Sequence, residues 1–145
     1  MNSKGRQSGF TLIEVMAVVV ILGLLVTLVV PKVLGKQEQA QIQKAKIDIQ
    51  MLSGALTMYK LDNFNFPNTS QGLESLVNKP SGTPEAKNWR SAYVTRLPKD
   101  PWGNPYLYLQ PGNNSEDFDI WSHGSDGKKG GTGSAQDIGN WNLSD

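Results

Sequence analysis

A long segment with one charge, near the amino terminus, constrains this chain more than any other feature. Residues 10–31 contain one charged residue, Glu14. As a helix rising about 1.5 Å per residue, the segment would span roughly 33 Å, close to the ~30 Å hydrocarbon core of a bilayer. A surface helix of a soluble protein would have a polar face, whereas this segment is apolar on every side. The sequence therefore predicts a helix that can cross a membrane.

A cleaved secretory signal peptide and a buried helix of a soluble protein are the alternatives for this segment. Signal peptides have a shorter apolar region, followed by small residues at the cleavage site. Residues 28–31, with the sequence Leu-Val-Val-Pro, close the run without such residues. A buried helix would be amphipathic, and this segment is not. The lack of a cleavage site and the apolar character on every side both favour membrane insertion.

Beyond Pro31 the apolar residues adopt the spacing of an amphipathic helix. Steps of three and four residues separate Ile42, Ala45, Ile49, Leu52, Leu56 and Tyr59. We expect this stripe to pack on a core and the opposite face to be polar, with Lys36, Glu38, Gln41, Lys44, Asp48 and Gln50. The helix is expected to end near Leu61, because several Asp and Asn residues and then Pro67 follow.

The remainder of the chain predicts shorter elements. Residues 69–77 favour a small helix, and residues 106–109 and 118–122 favour two strands of a hairpin. Residues 124–140 are rich in Gly, Ser and Asp, which is typical of a loop. The indole of Trp141 argues against a frayed end, because such side chains are usually placed against other residues.

Composition excludes several classes of function. The chain of 145 residues has no cysteine, one histidine and a net charge of +1. Thiolate chemistry, disulfides and multi-histidine metal sites are therefore excluded, and no basic field exists for nucleic acid. Ser122, His123 and Asp126 are too close in sequence for a catalytic triad and lack a nucleophile motif. We expect no enzymatic activity.

Three acidic residues leave one catalytic alternative open. Glu116, Asp117 and Asp119 lie within four residues of one another, near aromatic residues. Paired carboxylates could serve a membrane-anchored hydrolase, or a sugar-binding module. A charged edge of the predicted hairpin is the interpretation that we favour.

Several motifs resemble those of a known family. Residues 4–15, KGRQSGFTLIEV, resemble the processing signal shared by type IV pilins and type II secretion pseudopilins. Residues 97–106 (LPKDPWGNPY), 124–127 (GSDG) and 137–141 (DIGNW) are similar to the major, G-type pseudopilins of type II secretion. With the helix included, the resemblance covers essentially the whole chain.

The resemblance implies a fold and a function. The fold would be α+β and type IV pilin-like, a long helix packed on a small antiparallel sheet with a calcium-binding loop near the carboxyl end. Residues 1–9 would be a leader, residues 10–31 a membrane and filament-core helix, and residues 32–145 a periplasmic head. Subunits held in the inner membrane would assemble into a helical homopolymer, the pseudopilus, which helps to push folded exoproteins through the outer membrane. The implied partners are minor pseudopilins, a prepilin peptidase and the inner-membrane assembly platform.

A major pilin of a type IV pilus, used for adhesion or motility, is the alternative within this superfamily. It shares the processing signal. Such pilins commonly carry a disulfide-closed loop near the carboxyl end, which a chain without cysteine cannot form. The pseudopilin interpretation is therefore favoured.

The resemblance also assigns roles to residues near the amino end. Cleavage would fall between Gly9 and Phe10, and the new amine of Phe10 would be methylated. A charged carboxylate within an apolar span costs about 2.5–3.5 kcal/mol, so Glu14 needs a partner. The free amine of Phe10 is the expected partner, and contact with lipid headgroups alone is the alternative.

The resemblance implies a calcium ion in the loop between Trp121 and Trp141. The expected ligands are the side chains of Asp126, Ser134 and Asp137 and the backbone carbonyls of His123 and Lys128. Gln136 either adds its amide oxygen or stays free. The pattern of an EF-hand is absent, so the expectation of calcium comes from the resemblance.

Overall fold

The computed structural model describes residues 9–144, with the backbone but not the side chains of residues 28–34. Its elements are the helix α1 (Leu12–Asn63), a 3₁₀ helix at Leu73–Leu76, strands β1 (Leu107–Leu109) and β2 (Asp119–Ser122), 3₁₀ helices at Gly124–Asp126 and Gly133–Ala135, and strand β3 (Ile138–Gly139). The strands form one antiparallel sheet in the order β1-β2-β3. The expected α+β class is confirmed.

The helix α1 belongs to two compact units, which divide between Gln37 and Glu38. In the first unit the large apolar side chains from Phe10 to Val26 are all more than half exposed. Within the part of the chain whose side chains are described, no helix combines the length and the apolar character of a membrane span. The prediction that residues 10–31 cross a membrane includes residues 28–31, whose side chains lie outside that part.

The second unit contains the core of the head, and α1 supplies much of it. The predicted stripe is confirmed, because Ala45, Ile49, Leu52 and Leu56 are fully buried and Tyr59 is 1% exposed. They pack with buried residues from the rest of the head, namely Phe66, Leu73, Leu76, Ala86, Tyr106, Phe118, Ile120 and Ile138. Phe66 and Phe118 meet edge to face, with ring centroids 4.9 Å apart.

The end of α1 lies two residues beyond the expected position. Asn63 is buried, and its Nδ2 donates to the carbonyl oxygen of Tyr59 and to the hydroxyl of Tyr93, both at 3.1 Å. Phe64 follows with a φ of 66°, and its N–H donates to the carbonyl oxygen of Lys60. This left-handed residue ends the helix, a place that glycine usually takes.

The small helix expected at residues 69–77 is shorter than predicted. Asn68 Oδ1 accepts a hydrogen bond from the Gln71 N–H, which makes a turn. Gly72 then has a φ of 64°, which a helix does not accommodate. One 3₁₀ turn, Leu73–Leu76, is what remains of the predicted helix.

The predicted hairpin is confirmed, and a third strand was missed. Tyr108 of β1 faces Ile120 of β2, and each strand begins one residue later than expected. The strand β3 has two residues, and Ser122 faces its Ile138. A strand of two residues is too short to show alternation in the sequence. The strand β3 lies within the predicted loop and forms by pairing with β2.

The face of α1 opposite the core differs from the expectation. Lys44 and Gln50 are exposed there as predicted, but so are Ile47, Met51 and Met58. This part of α1 therefore carries apolar side chains on two faces, the buried face that packs in the core and the exposed face opposite it. The polar stripe predicted for the solvent side is incomplete.

Candidate functional site

Glu14 closes the first turn of α1. Its Oε2 accepts hydrogen bonds from the Thr11 N–H at 3.2 Å and the Thr11 hydroxyl at 3.4 Å. The Glu14 N–H donates in turn to Thr11 Oγ1 at 3.3 Å. This reciprocal pair is a capping box, which satisfies amide groups that a helix start leaves unpaired. The pattern Thr-x-x-Glu could have been found in the sequence.

The residues predicted for processing lie directly before this cap. Gly9 and Phe10 are outside the helix, and both are exposed. Phe10 itself is 87% exposed. Glu14 therefore lies one turn from the expected cleavage site and has Thr11 as its partner in this chain.

His123 follows strand β2 directly, at the start of the loop near the carboxyl end. Its Nδ1 lies 2.7 Å from Asp137 Oδ1, and Trp121 Nε1 lies 3.3 Å from His123 Nε2. An indole N–H can only donate, so Nε2 is the acceptor and Nδ1 carries the proton toward Asp137. His123 links strand β2 to the segment that precedes β3.

The other predicted calcium ligands lie along the same loop. Asp137 Oδ2 accepts from the Gly130 N–H at 2.9 Å, and Asp126 Oδ1 accepts from the Lys128 N–H at 3.0 Å. The hydroxyl of Ser134 lies 3.2 Å from the Ser125 hydroxyl. Within residues 9–144, Asp126 and Asp137 have no hydrogen-bond partner in common.

Gly124 allows the two halves of this loop to approach. It has a φ of 69°, and a Cβ there would stand 2.5 Å from the Ser134 carbonyl oxygen and 2.8 Å from that of Gln136. The two 3₁₀ helices of the loop are therefore packed together, with backbone carbonyls at the contact. Any side chain at position 124 would push them apart.

The donor atoms of the loop fit a hard cation by their chemistry. Two carboxylates, a serine hydroxyl and backbone carbonyls are the oxygen ligands that calcium prefers. Across the described residues, no group of three or more His, Asp or Glu side chains converges as a metal site. A cation at this loop would therefore depend on Ser134 and on backbone carbonyls as well as on the two acids.

A small cavity lies beside the His123 linkage. It measures about 240 Å³. Its lining comprises Leu109, Asn113, Asn114, Asp119, Trp121, His123, Lys129, Asp137 and Trp141. The indole of Trp141 lies directly against the backbone of Gly139 and 6.3 Å from the Trp121 ring, centroid to centroid. Trp141 is therefore packed against other residues, as its indole side chain predicted.

Asp119 is an anchor for the hairpin loop. It is 1% exposed. Its carboxylate accepts from the N–H groups of Asn113, Asn114 and Ser115 at 2.8–2.9 Å and from Asn114 Nδ2 at 3.1 Å. Burial alone would raise the pKa of Asp119, but these four hydrogen bonds hold it below its ordinary value.

The acidic residues of the hairpin do not form a catalytic pair. Asp117 lies at the surface, 3.4 Å from Lys60 Nζ, and Glu116 is also exposed. Asp119 is buried and fully hydrogen-bonded, as just described. Glu116 and Asp117 are therefore exposed at the edge of the hairpin, and Asp119 is buried inside the fold. This arrangement agrees with a charged hairpin edge.

Ser122, His123 and Asp126 do not form a catalytic triad either, because each side chain has another hydrogen-bond partner. Ser122 is buried, and its hydroxyl donates to Asp100 Oδ2 at 2.6 Å while accepting from the Gly124 N–H. His123 is engaged with Trp121 and Asp137. Ser122 therefore links β2 to the turn that Asp100 organises.

Two protein-family models together match nearly the whole chain. Residues 32–141 match the family model of the type II secretion system protein G. Residues 4–30 match the model of the prokaryotic N-terminal methylation motif.

Individual proteins are similar to this chain over most or nearly all of their length. A "Type II secretion system core protein G" of Pseudomonas aeruginosa is 58% identical, covering 94% of this chain and 96% of that protein. A protein of the same name from Vibrio cholerae serotype O1 is 55% identical, covering 100% and 99%. The crystal structure of the major pseudopilin from enterohaemorrhagic Escherichia coli superposes with a TM-score of 0.67 at 46% identity, over 78% of this chain and 96% of that one.

Proposed function

The chain belongs to the protein G family of the type II secretion system, and from that premise we propose how its residues serve a pseudopilus. It is a structural subunit of the pseudopilus and not an enzyme. It assembles with other components of the secretion system. Membership decides against a type IV pilus major pilin and against a membrane-anchored hydrolase or sugar-binding module.

The apolar first part of α1 is the observation that carries the proposal. Large apolar side chains from Phe10 to Val26 surround the helix and are more than half exposed. Such a surface is stable in lipid and also among like helices, because both surroundings are apolar. In this proposal, subunits reside in the inner membrane with the head in the periplasm. On assembly into a homopolymer, contacts between helix and lipid are replaced by contacts between helices.

Processing prepares the subunit for this exchange. A prepilin peptidase cuts between Gly9 and Phe10, and the Phe10 amine is then methylated. The match to the N-terminal methylation motif and the exposure of both residues support this step. The inner-membrane assembly platform and the minor pseudopilins then act on the processed subunit.

Glu14 has two roles in succession. It caps α1 through Thr11, as its hydrogen bonds indicate. After cleavage its carboxylate also pairs with the free Phe10 amine of its own or a neighbouring subunit. The pairing couples processing to assembly, because the amine exists only in the cleaved chain.

Two experiments test this proposal. Deletion of the gene tests the function in secretion, and the intact mass of the subunit tests the processing step. We expect the deletion to leave folded exoproteins in the periplasm, and the wild-type gene to restore secretion. In isolated filaments, the mass of the subunit should lack residues 1–9 and carry one added methyl group. Normal secretion without the gene would contradict the function, and filaments retaining residues 1–9 would contradict the processing step.

We further propose that the loop between Trp121 and Trp141 holds calcium. Asp126, Ser134 and Asp137 would bind it through their side chains, with the carbonyls of His123 and Lys128. The all-oxygen donor set supports this choice of ion. A bound divalent cation would offset the repulsion between the two acids and stabilise the loop.

Removing calcium is therefore expected to destabilise the subunit. A ligand at about 100 times its dissociation constant stabilises a protein by roughly 2.7 kcal/mol. We expect a chelator to lower the melting temperature of the wild-type chain, and Asp126→Ala to remove this response. Glu116→Ala, at an exposed acid outside the loop, should respond as wild type does. A melting temperature indifferent to chelator in all three chains would exclude calcium.

A further inference from the structure

Two of the four tryptophans of this chain lie outside the core of the head. Among residues 9–144, the side chains that pack on the core include Trp89 and Trp102 but not Trp121 or Trp141. Ile120 of β2 belongs to the core, so the next residue, Trp121, is on the opposite face of the sheet. We call Trp121 and Trp141 the indole pair. The pair therefore contributes to the surface of the head and not to its core.

The indole pair forms two walls of the cavity beside His123. Gly139 of β3 has no side chain, and the Trp141 ring lies on the sheet at that place. The two rings are tilted by 51° to each other. Side chains that only filled space would close a gap of about 240 Å³, because packed interiors leave few voids larger than a water molecule. The cavity instead reaches the surface at the exposed Asn113 and Lys129.

The cavity is lined by polar groups that have no partner in the chain. Within residues 9–144, no hydrogen bond is made by the side-chain amide of Asn113, the ammonium group of Lys129 or the indole N–H of Trp141. Asn114 Nδ2 donates to Asp119, which leaves Asn114 Oδ1 as an acceptor. A ligand in this cavity would therefore meet aromatic rings together with donors and acceptors of hydrogen bonds.

The charges around the cavity favour a neutral ligand. Asp119 and Asp137 line it, and each already accepts hydrogen bonds from the backbone, with a further one from His123 to Asp137. Neither acid is therefore an unpaired group that would attract a cation, and Lys129 repels cations. The two carboxylates repel anions in turn.

A sugar ring combines the surfaces that this cavity can contact. The C–H groups of a pyranose pack on an indole ring, and its hydroxyl groups both donate and accept hydrogen bonds. The cavity is smaller than the about 300–1,000 Å³ of sites for drug-sized ligands, which suits a single ring. We propose that the cavity at the indole pair binds one pyranose ring of a neutral glycan.

The glycan is an additional ligand of a subunit whose role remains structural. The head is in the periplasm in the proposed function, and the source of the glycan rests on that placement. Strands of β-linked amino sugars, as in the cell wall, and chains of α-linked glucose both present such a ring. The binding chemistry of the ring is common to both sources, so the probes must distinguish them.

The cavity is distinct from the proposed calcium site. Neither Asp126 nor Ser134 lines it, and Asp137 is the one proposed side-chain ligand that the two share. Leu109 of β1 and Asn113 of the hairpin loop line it as well, and neither is a proposed calcium ligand. Calcium is therefore kept at one concentration in every measurement below.

Titration with two trisaccharides tests the proposal. The full chain is purified in a detergent without a sugar headgroup, and triacetylchitotriose or maltotriose is added while tryptophan fluorescence and ligand NMR are recorded. We expect saturable binding with a dissociation constant of about 1 mM, as for a ligand held through one ring. Binding of the first sugar alone indicates an amino-sugar strand, of the second alone a glucan, and of both a site that reads only the ring. Saturable binding of neither sugar would overturn the proposal.

A double variant at the polar groups tests the location of the site. Asn113→Ala with Lys129→Ala should weaken binding about tenfold and leave the melting temperature unchanged, because neither side chain makes a hydrogen bond within residues 9–144. Asn78→Ala with Lys79→Ala is the matched control, at exposed positions outside the cavity. Its binding should equal that of wild type. Equal dissociation constants in the two double variants would overturn the assignment of the site.

The fluorescence change identifies the ring that contacts the sugar. Trp141→Phe should remove most of the change and weaken binding, whereas Trp102→Phe, at a residue packed on the core, should retain both. A change that persists in Trp141→Phe and disappears in Trp102→Phe would exclude the indole pair. These titrations measure the subunit alone, so a failure of the glycan site would leave the proposed function in the pseudopilus intact.

Discussion

Replacing Asp119 by alanine is expected to destabilise the head by about 3 kcal/mol. The substitution removes the acceptor for three backbone N–H groups and for Asn114 Nδ2. A buried donor without a partner costs about 1–3 kcal/mol, and water can reach some of these groups because Asn113 and Asn114 are at the surface. Unfolding of the full chain by urea in detergent measures the loss.

Asp117→Ala is the control for this prediction. Its side chain is 63% exposed and makes one long ion pair, so the loss should be within about 0.5 kcal/mol. Similar losses at both positions would show that the buried network of Asp119 does not stabilise the hairpin loop.

The same network predicts a dependence on pH. The pKa of Asp119 is lowered in the folded chain, so the stability it contributes is present above the pKa of the unfolded chain, near 4. That contribution is lost as the pH falls through the folded value. Between pH 5 and pH 2 the free energy of unfolding should fall more steeply in wild type than in Asp119→Asn. Parallel curves would mean that the carboxylate titrates alike in both states.

Replacing Glu14 is expected to produce the largest functional defect. Glu14→Ala removes both the cap on Thr11 and the proposed partner of the Phe10 amine. A hydrogen bond to a charged group contributes about 1.5–3 kcal/mol, which corresponds to roughly 10- to 100-fold in an equilibrium. The variant should be inserted and cleaved normally, but filament yield and secretion should fall by about this factor.

Glu14→Gln separates the two roles of this side chain. Glutamine serves in a capping box as glutamate does, but it carries no charge. We therefore expect Glu14→Gln to assemble as poorly as Glu14→Ala. Assembly of the glutamine variant at the wild-type level would leave capping as the role of Glu14 and remove the amine pairing. Cleavage is followed in each variant by intact mass.

Patterns that repeat along one element were readable before the structure. The stripe from Ala45 to Tyr59 predicted the buried face of α1, because burial on one side of a helix requires steps of three and four residues. Alternation predicted the hairpin, and the motifs at residues 4–15, 97–106, 124–127 and 137–141 predicted the family. The capping box at Thr11 and Glu14 was equally local and was overlooked.

Two features near the carboxyl end depended on contacts between distant residues. The strand β3 consists of Ile138 and Gly139, too few for alternation, and it exists because Ser122 and Trp121 of β2 face it. Asp119 is one of three similar acids in the sequence, and it is buried because the loop at residues 113–115 folds back over it.

The sequence by itself determined the long helix, its buried stripe, the hairpin and the family, since each depends on residue types at fixed local spacings. Only the tertiary structure decided which faces remain uncovered. The helix α1 has two apolar rows of the same spacing, and the sequence predicted the burial of the row from Ala45 to Tyr59 but not the exposed apolar row from Ile47 to Leu61. The head packs on the first row and leaves the second exposed. Burial depends on which side the rest of the chain returns to, and that is a property of the whole fold.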